Sequence, residues 1–173
     1  VIAFISLCLL VLVTAGQTVG AQNTSNFAIE SFEADYYVSK TDKDVATMRV
    51  VERIVAVFPD YDQDHGILRA IPETYKDKSV GLEIESVKDQ NNIAYQYTQS
   101  SESDNKINKI GSTSAYVRGR TEYLITYRLT NVVSFYDSHD ELYWDVNGDQ
   151  WQQNFGSVTA RIHMQPSIAN KLK

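Results

Sequence analysis

The side chains best able to do chemistry are densest between Phe135 and Trp151, F-Y-D-S-H-D-E-L-Y-W-D-V-N-G-D-Q-W, a stretch that also holds both tryptophans of the chain. Asp137, His139, Asp140 and Glu141 supply an acid, a base and oxygen or nitrogen ligands in one short run. In an extended chain neighbouring side chains alternate between faces, so His139 and Glu141 share one side while Asp140 points away with Leu142. Carboxylates adjacent in sequence are then not a working pair, and no nucleophile motif or second ligand cluster completes a constellation. The stretch reads as structural. Leu142, Trp144 and Val146 alternate into a core that Trp151 also anchors, Asn147-Gly148 makes a hairpin turn, and the acids pair with arginines from distant strands.

A second group lies upstream. Asp60, Asp62 and Asp64 stand at alternate positions, where oxygen ligands at the first, third and fifth places of a loop suit calcium. The sixth and twelfth places are His65 and Ile71 in place of the required Gly and bidentate acid, so the EF-hand pattern fails; the run reads as a solvated acidic loop, with a looser calcium-binding turn on Asp60, Asp62 and Asp64 as the alternative. Asp145-Val146-Asn147-Gly148-Asp149 fails the same test at Gln150 and Gly156. His65 has no second His or Cys nearby to share a metal and reads as structural. Arg69 is set among Ile67, Leu68, Ala70 and Ile71, where a guanidinium is costly to bury without a carboxylate. The expected partner is Glu141 or Asp140; Arg118 and Arg120 are the other cations expected to take up acids of the 137–141 run.

These groups are positioned by a chain with a strong β pattern. Phe32, Ala34, Tyr36 and Val38 alternate in a first strand over 27–39; Ala46, Met48, Val50, Ile54, Ala56 and Phe58 alternate in a second over 45–58. Val51, Val55 and Val57 suggest that part of this second strand is covered on both faces. A period of 3.6 would scatter these positions around a cylinder, so helices are excluded there. Pro59 ends the second strand because it lacks a ladder donor. Further strands are expected at 80–88, at 93–98 as its partner, at 107–111, at 121–130, at 132–136 and at 158–164, while 99–106 has no apolar residue and reads as an exposed loop. About eight or nine strands without an amphipathic helix predict an all-β fold, a two-sheet antiparallel β-sandwich of immunoglobulin-like type, with a closed β-barrel as the alternative.

The segment before the strands has a different character. An uncharged apolar run of about 13 residues, followed by Val19-Gly20-Ala21, has the proportions of a signal peptide over residues 1–21; a signal anchor is the alternative. Residues 22–26 read as a flexible spacer, 27–166 as the sandwich domain and 167–173 as a truncated linker. The single cysteine, Cys8, falls in the leader, so thiol chemistry and Cys-based metal binding are excluded from the domain. The net charge of −6, with Lys and Arg scattered, shows no footprint for nucleic acid. No cofactor is implied.

Three blocks, His65-Gly66-Ile67-Leu68-Arg69-Ala70-Ile71-Pro72, Glu122 to Leu129, and Ser138-His139-Asp140-Glu141-Leu142-Tyr143-Trp144-Asp145-Val146-Asn147-Gly148 with Trp151, resemble in order and spacing the N-terminal domain of the DUF2207 family of predicted bacterial membrane proteins. The departures are at Leu68, Ala70 and Asp145. The resemblance implies an extracytoplasmic β domain attached to the cell membrane, followed by membrane-spanning helices beyond this sequence; it assigns no activity. His65, Arg69, His139, Asp140, Glu141, Tyr143, Trp144 and Trp151 are its binding or structural signature. The expected role is non-catalytic: an interaction or structural domain whose partner is its own transmembrane part, another envelope protein or a glycan. The alternative is an envelope hydrolase or metal-dependent enzyme using the acids at 137–141.

Overall fold

The computed structural model describes residues 26–41, 45–61 and 64–170. The expected leader with Cys8, most of the spacer, Asp62 and the last residues of the expected linker lie outside them.

The period-two pattern of the two leading segments becomes strands β1 (Ala28–Lys40) and β2 (Ala46–Phe58), paired antiparallel from Ala28 opposite Val57 to Lys40 opposite Ala46. After them come β3 (Gly66–Pro72), the short pair β4 (Thr74–Tyr75) and β5 (Lys78–Ser79), β6 (Glu83–Lys88), β7 (Tyr97–Glu102), β8 (Asn105–Gly111) and β9 (Gly119–Thr130). The chain closes with β10 (Val133–Phe135), β11 (Asp140–Leu142), β12 (Val158–Met164) and one turn of helix, α1 (Pro166–Ala169). A five-stranded sheet runs β12-β1-β2-β9-β6 and a three-stranded sheet runs β3-β8-β7. Both sheets are open, so the molecule is an all-β sandwich and the barrel alternative is set aside.

The inner face of the larger sheet follows strand parity. Phe32, Ala34, Tyr36 and Val38 of β1, Met48, Val50, Ile54 and Ala56 of β2, and Tyr123, Ile125, Tyr127 and Leu129 of β9 are all buried. The register aligns them in rows, Phe32 opposite Ile54 opposite Tyr123, and Tyr36 opposite Val50 opposite Tyr127. The smaller sheet contributes Ile67, Ile71 and Ile110. On the outer face of β2, Val55 is buried while Val57 is exposed, so the second cover expected there is partial.

Four expectations are corrected. The apolar-free segment 99–106 read as a loop holds most of the edge strand β7, a turn and the start of β8; β7 is exposed along its whole length and held by antiparallel backbone pairing with β8, and an edge strand with both faces in water has no reason to alternate. The strand expected at 93–98 as partner of 80–88 makes only a bridge of Ala94 with Lys88, and its last two residues, Tyr97 and Thr98, instead open β7. The last strand, β12, lies parallel to β1, so the larger sheet is mixed. Asn147-Gly148 is no hairpin turn, because residues 143–157 form an irregular segment outside the named strands. The described part of the segment from 167 includes the end of α1, whose Ile168 packs against the core.

Candidate functional site

The parity that buries Met48, Val50, Ile54 and Ala56 also points Glu52 inward, and Glu52 is fully buried. On the opposite sheet the same parity sends Arg69 inward between Ile67 and Ile71, and Arg69 is the largest fully buried side chain among the described residues. Stacking the two sheets brings them together. Arg69 Nε donates to Glu52 Oε2 at 2.8 Å and Nη2 donates to Oε1 at 2.6 Å, a fork-to-fork pairing that fixes both side chains. The Tyr127 hydroxyl donates to Glu52 Oε1 at 2.7 Å. Arg69 Nη1 donates to the Ala70 carbonyl at 2.6 Å and to the Asn147 carbonyl at 3.0 Å, and the Phe32 ring lies 5.4 Å from the guanidinium carbon.

A second ring of contacts holds this pair. Asn108 Nδ2 donates to the Arg69 carbonyl at 3.1 Å, and its Oδ1 accepts from Gln99 Nε2 at 2.9 Å. The Tyr36 hydroxyl donates to the Val146 carbonyl at 3.0 Å and Trp151 Nε1 to the Asn147 carbonyl at 2.8 Å. The irregular segment is thereby pinned over the guanidinium. Gly148 is needed there: its φ is +77°, and a Cβ would come within 2.9 Å of Arg69 Nη1. Burial works against the Arg69 cation, but the charge and hydrogen bonds of Glu52 outweigh it and hold its pKa above the ordinary range. Tyr127 and Tyr36 are pushed up, first by burial and then by the Glu52 carboxylate. Neither phenol ionises at physiological pH, so the arrangement is a closed ion pair with no group left free for acid-base work.

Arg69 therefore finds its carboxylate in Glu52, and the expected pairing with Glu141 or Asp140 is wrong. Those acids sit on the outside, in the β10–β11 hairpin. Glu141 accepts from Lys76 Nζ at 3.2 Å, Lys76 also donates to the Tyr136 hydroxyl at 3.0 Å, and Asp140 is exposed. Arg120 pairs with Glu30 at 3.0 Å. His139 stacks on Tyr136 with ring centroids 4.9 Å apart, and its Nδ1 lies 3.0 Å from Ser138 Oγ. Tyr143 stacks on Tyr75 at 5.5 Å. Beside this hairpin runs an open groove of about 780 Å³ lined by Val133, Phe135, Tyr136, Leu142, Met164 and Ile168. Trp144 and Trp151 are half-buried and pack against the core, Trp151 meeting Phe155 edge-on at 5.8 Å.

At the other expected site, Asp60 is exposed, Asp62 lies outside the described residues and Asp64 is buried. No group of three or more His, Cys, Asp or Glu among the described residues is arranged to hold a metal. His65 is structural: its Nδ1 lies 3.1 Å from the Ser112 carbonyl and 2.9 Å from the Ala115 carbonyl, so that nitrogen carries the proton, and the ring stacks on Tyr116 at 4.4 Å. The residues missed from the sequence are Glu52, Tyr127, Tyr36 and Asn108. Glu52 carried a readable signal, an acid at an inward position of an otherwise apolar alternation.

The fold and its centre define a class, an all-β sandwich whose two sheets are joined through a buried, fully hydrogen-bonded Arg–Glu pair. More particularly, the chain belongs to the family described as predicted membrane protein (DUF2207), N-terminal domain, whose model matches residues 28–173. No helix among the described residues is long and apolar enough to cross a membrane. No curated protein matches the chain. Among solved structures, native leukotriene A4 hydrolase from Saccharomyces cerevisiae is similar at a TM-score of 0.40 and 11% identity over 66% of this chain and 18% of that one. A two-domain M1 zinc metallopeptidase mutant bound to L-tryptophan is similar at 0.37 and 9% over 64% and 22%. The chain thus spans about a fifth of the length of these enzymes, and likenesses this low carry no argument about function.

Proposed function

We propose that this chain is a non-catalytic interaction domain on the extracytoplasmic side of a membrane protein, with the groove beside the β10–β11 hairpin as its working surface. The carrying observation is the set of apolar side chains in that groove, Val133, Leu142, Met164 and Ile168, set beside Lys40, Asp137, His139 and Asp140, together with its outward aromatics: Phe135 is 66% and Tyr136 47% exposed. Exposed aromatic side chains beside a groove that mixes apolar and charged groups are what a protein contact surface is built from. The family description supports membrane attachment, and the apolar leader supports the outer side. The favoured occupants are the protein's own membrane-spanning part or another envelope protein; a glycan stacked on the same aromatics is the third. Crosslinking in membranes tests this. A photoreactive residue at Phe135 in the full-length protein should capture a protein partner, or a second part of the same protein, and Tyr136→Ser should weaken capture. A Phe135 probe that captures nothing overturns the reading.

A hydrolase is the second reading, favoured by one observation: Ser138 Oγ and His139 Nδ1 are within hydrogen-bond reach beside that groove. A nucleophile–base pair also needs a third group to orient the base. Ester hydrolysis by the purified protein that His139→Ala abolishes would establish it; activity equal in both proteins, or none, would leave the interaction reading in place.

A further inference from the structure

At the end of the sandwich away from the hairpin groove, a second cleft of about 290 Å³ opens between the start of β3 and the segment 150–153. Its walls include Phe27, Ile67, Ile110 and Trp151, and Asp64 lies in its lining. Asp64 is only 4% exposed, yet its Oδ2 has no hydrogen-bond partner among the described residues. Burying a carboxylate oxygen without a donor is costly, and folds keep such groups where something else supplies the donor. The neighbouring cations do not fill that role. Lys109 lies at the rim, on the outward parity of β8 beside Leu68, and the His65 Nδ1 proton is committed to backbone carbonyls. Gly66 and Gly111 face each other across β3 and β8, and a Cβ on either would fall inside the backbone of its partner, so the strands close tightly at the cleft floor.

We propose that this cleft is a binding site for a small primary ammonium compound with a flat apolar body. The ammonium is placed on Asp64, and the body lies against Trp151 and the isoleucines. A buried carboxylate oxygen without a donor selects a cation, an indole face adds to the attraction, and the glutamines at 150, 152 and 153 border the same cleft. Calcium is a poor candidate, since it needs six or more oxygen ligands and the described lining supplies one carboxylate. The volume is at the lower edge of small-molecule sites, enough for one ring and a short arm.

Titration calorimetry of the purified protein with benzylamine and with its neutral counterpart benzyl alcohol tests this. Benzylamine should bind about tenfold or more tightly than benzyl alcohol, and Asp64→Asn should remove most of that preference. Equal affinities, no binding of either probe, or an unchanged preference in Asp64→Asn would overturn the proposal. If the variant does not fold, the Asp64 carboxyl carbon resonance of the unmodified protein decides. It should shift with benzylamine and stay in place with benzyl alcohol, and a resonance that ignores both probes would equally overturn the site.

Discussion

Arg69 and Glu52 depend on each other in a way that single and double replacements separate. Arg69→Met leaves the Glu52 carboxylate buried without its cation, which costs about 3–5 kcal/mol, whereas Arg69→Met with Glu52→Leu removes both charges and should restore most of that loss. Urea unfolding of the two singles and the double measures the coupling, and a double variant no better than the sum of the singles would contradict the isolated-pair account. Gly148 is the other critical residue. Gly148→Ala forces a side chain into a left-handed backbone and against Arg69 Nη1, so a loss of about 1–3 kcal/mol is expected in the same assay. Of these three positions Arg69 was legible, as a cation flanked by isoleucines that required an acid. Its partner was not, because Glu52 and Glu141 both offer a carboxylate and only the stacking of one sheet on the other selects between them.

Among the elements, the long strands with a regular apolar row were readable, while β3, whose inward row is interrupted by Arg69, and the exposed β7 were not. β1, β2 and β9 announce themselves because their inner positions must be apolar to line the core. β7 has no such constraint, and its identity rests on the two-residue turn that returns the chain to β8. Ser103 and Asp104 occupy that turn with φ of 46° and 65°, the left-handed pair that a hairpin of this type requires and that Asn-Gly adopts most readily. Ser103→Asn with Asp104→Gly should therefore raise the melting temperature by about 2–4 °C, read by circular dichroism. An unchanged or lower melting temperature would show that the turn contributes nothing to stability. The Asn147-Gly148 turn was misread by the same rule applied without context: the dipeptide favours left-handed backbone, but here that backbone serves to bring the Asn147 carbonyl onto Arg69 and Trp151.

For the molecule as a whole, surface ion pairs set the response to acid. Hydrogen bonds from Arg128 and then Arg49 hold Glu85 below its ordinary value of 4.5, and hydrogen bonds to Lys106 and then Ser101 do the same for Glu73. In both cases the unfolded chain takes up protons first, so their stabilisation is present above pH 4.5 and is lost as pH falls through the lowered native values. Asp64 acts in the opposite sense: burial raises its pKa, so stability is lost as pH rises from the ordinary 3.8 through the raised native value. Melting temperature followed from pH 7 down to 2 should fall on the acid side, less steeply in Glu85→Gln and more steeply in Asp64→Asn. In 1 M salt the contribution of Glu85 should shrink, because its arginine partners are half exposed.

The amino-acid pattern was enough for the β class, the position of the long strands, the family and the demand for a carboxylate at Arg69, because each follows from local alternation or from the cost of burying a charge. Strand direction at the β12 edge, the exposed β7, the choice of Glu52 and the folding of 143–157 over the guanidinium came from the assembled fold. These depend on contacts between residues far apart in sequence, where backbone pairing and sheet stacking are indifferent to local period and the lowest-energy match is set by the whole set of partners at once.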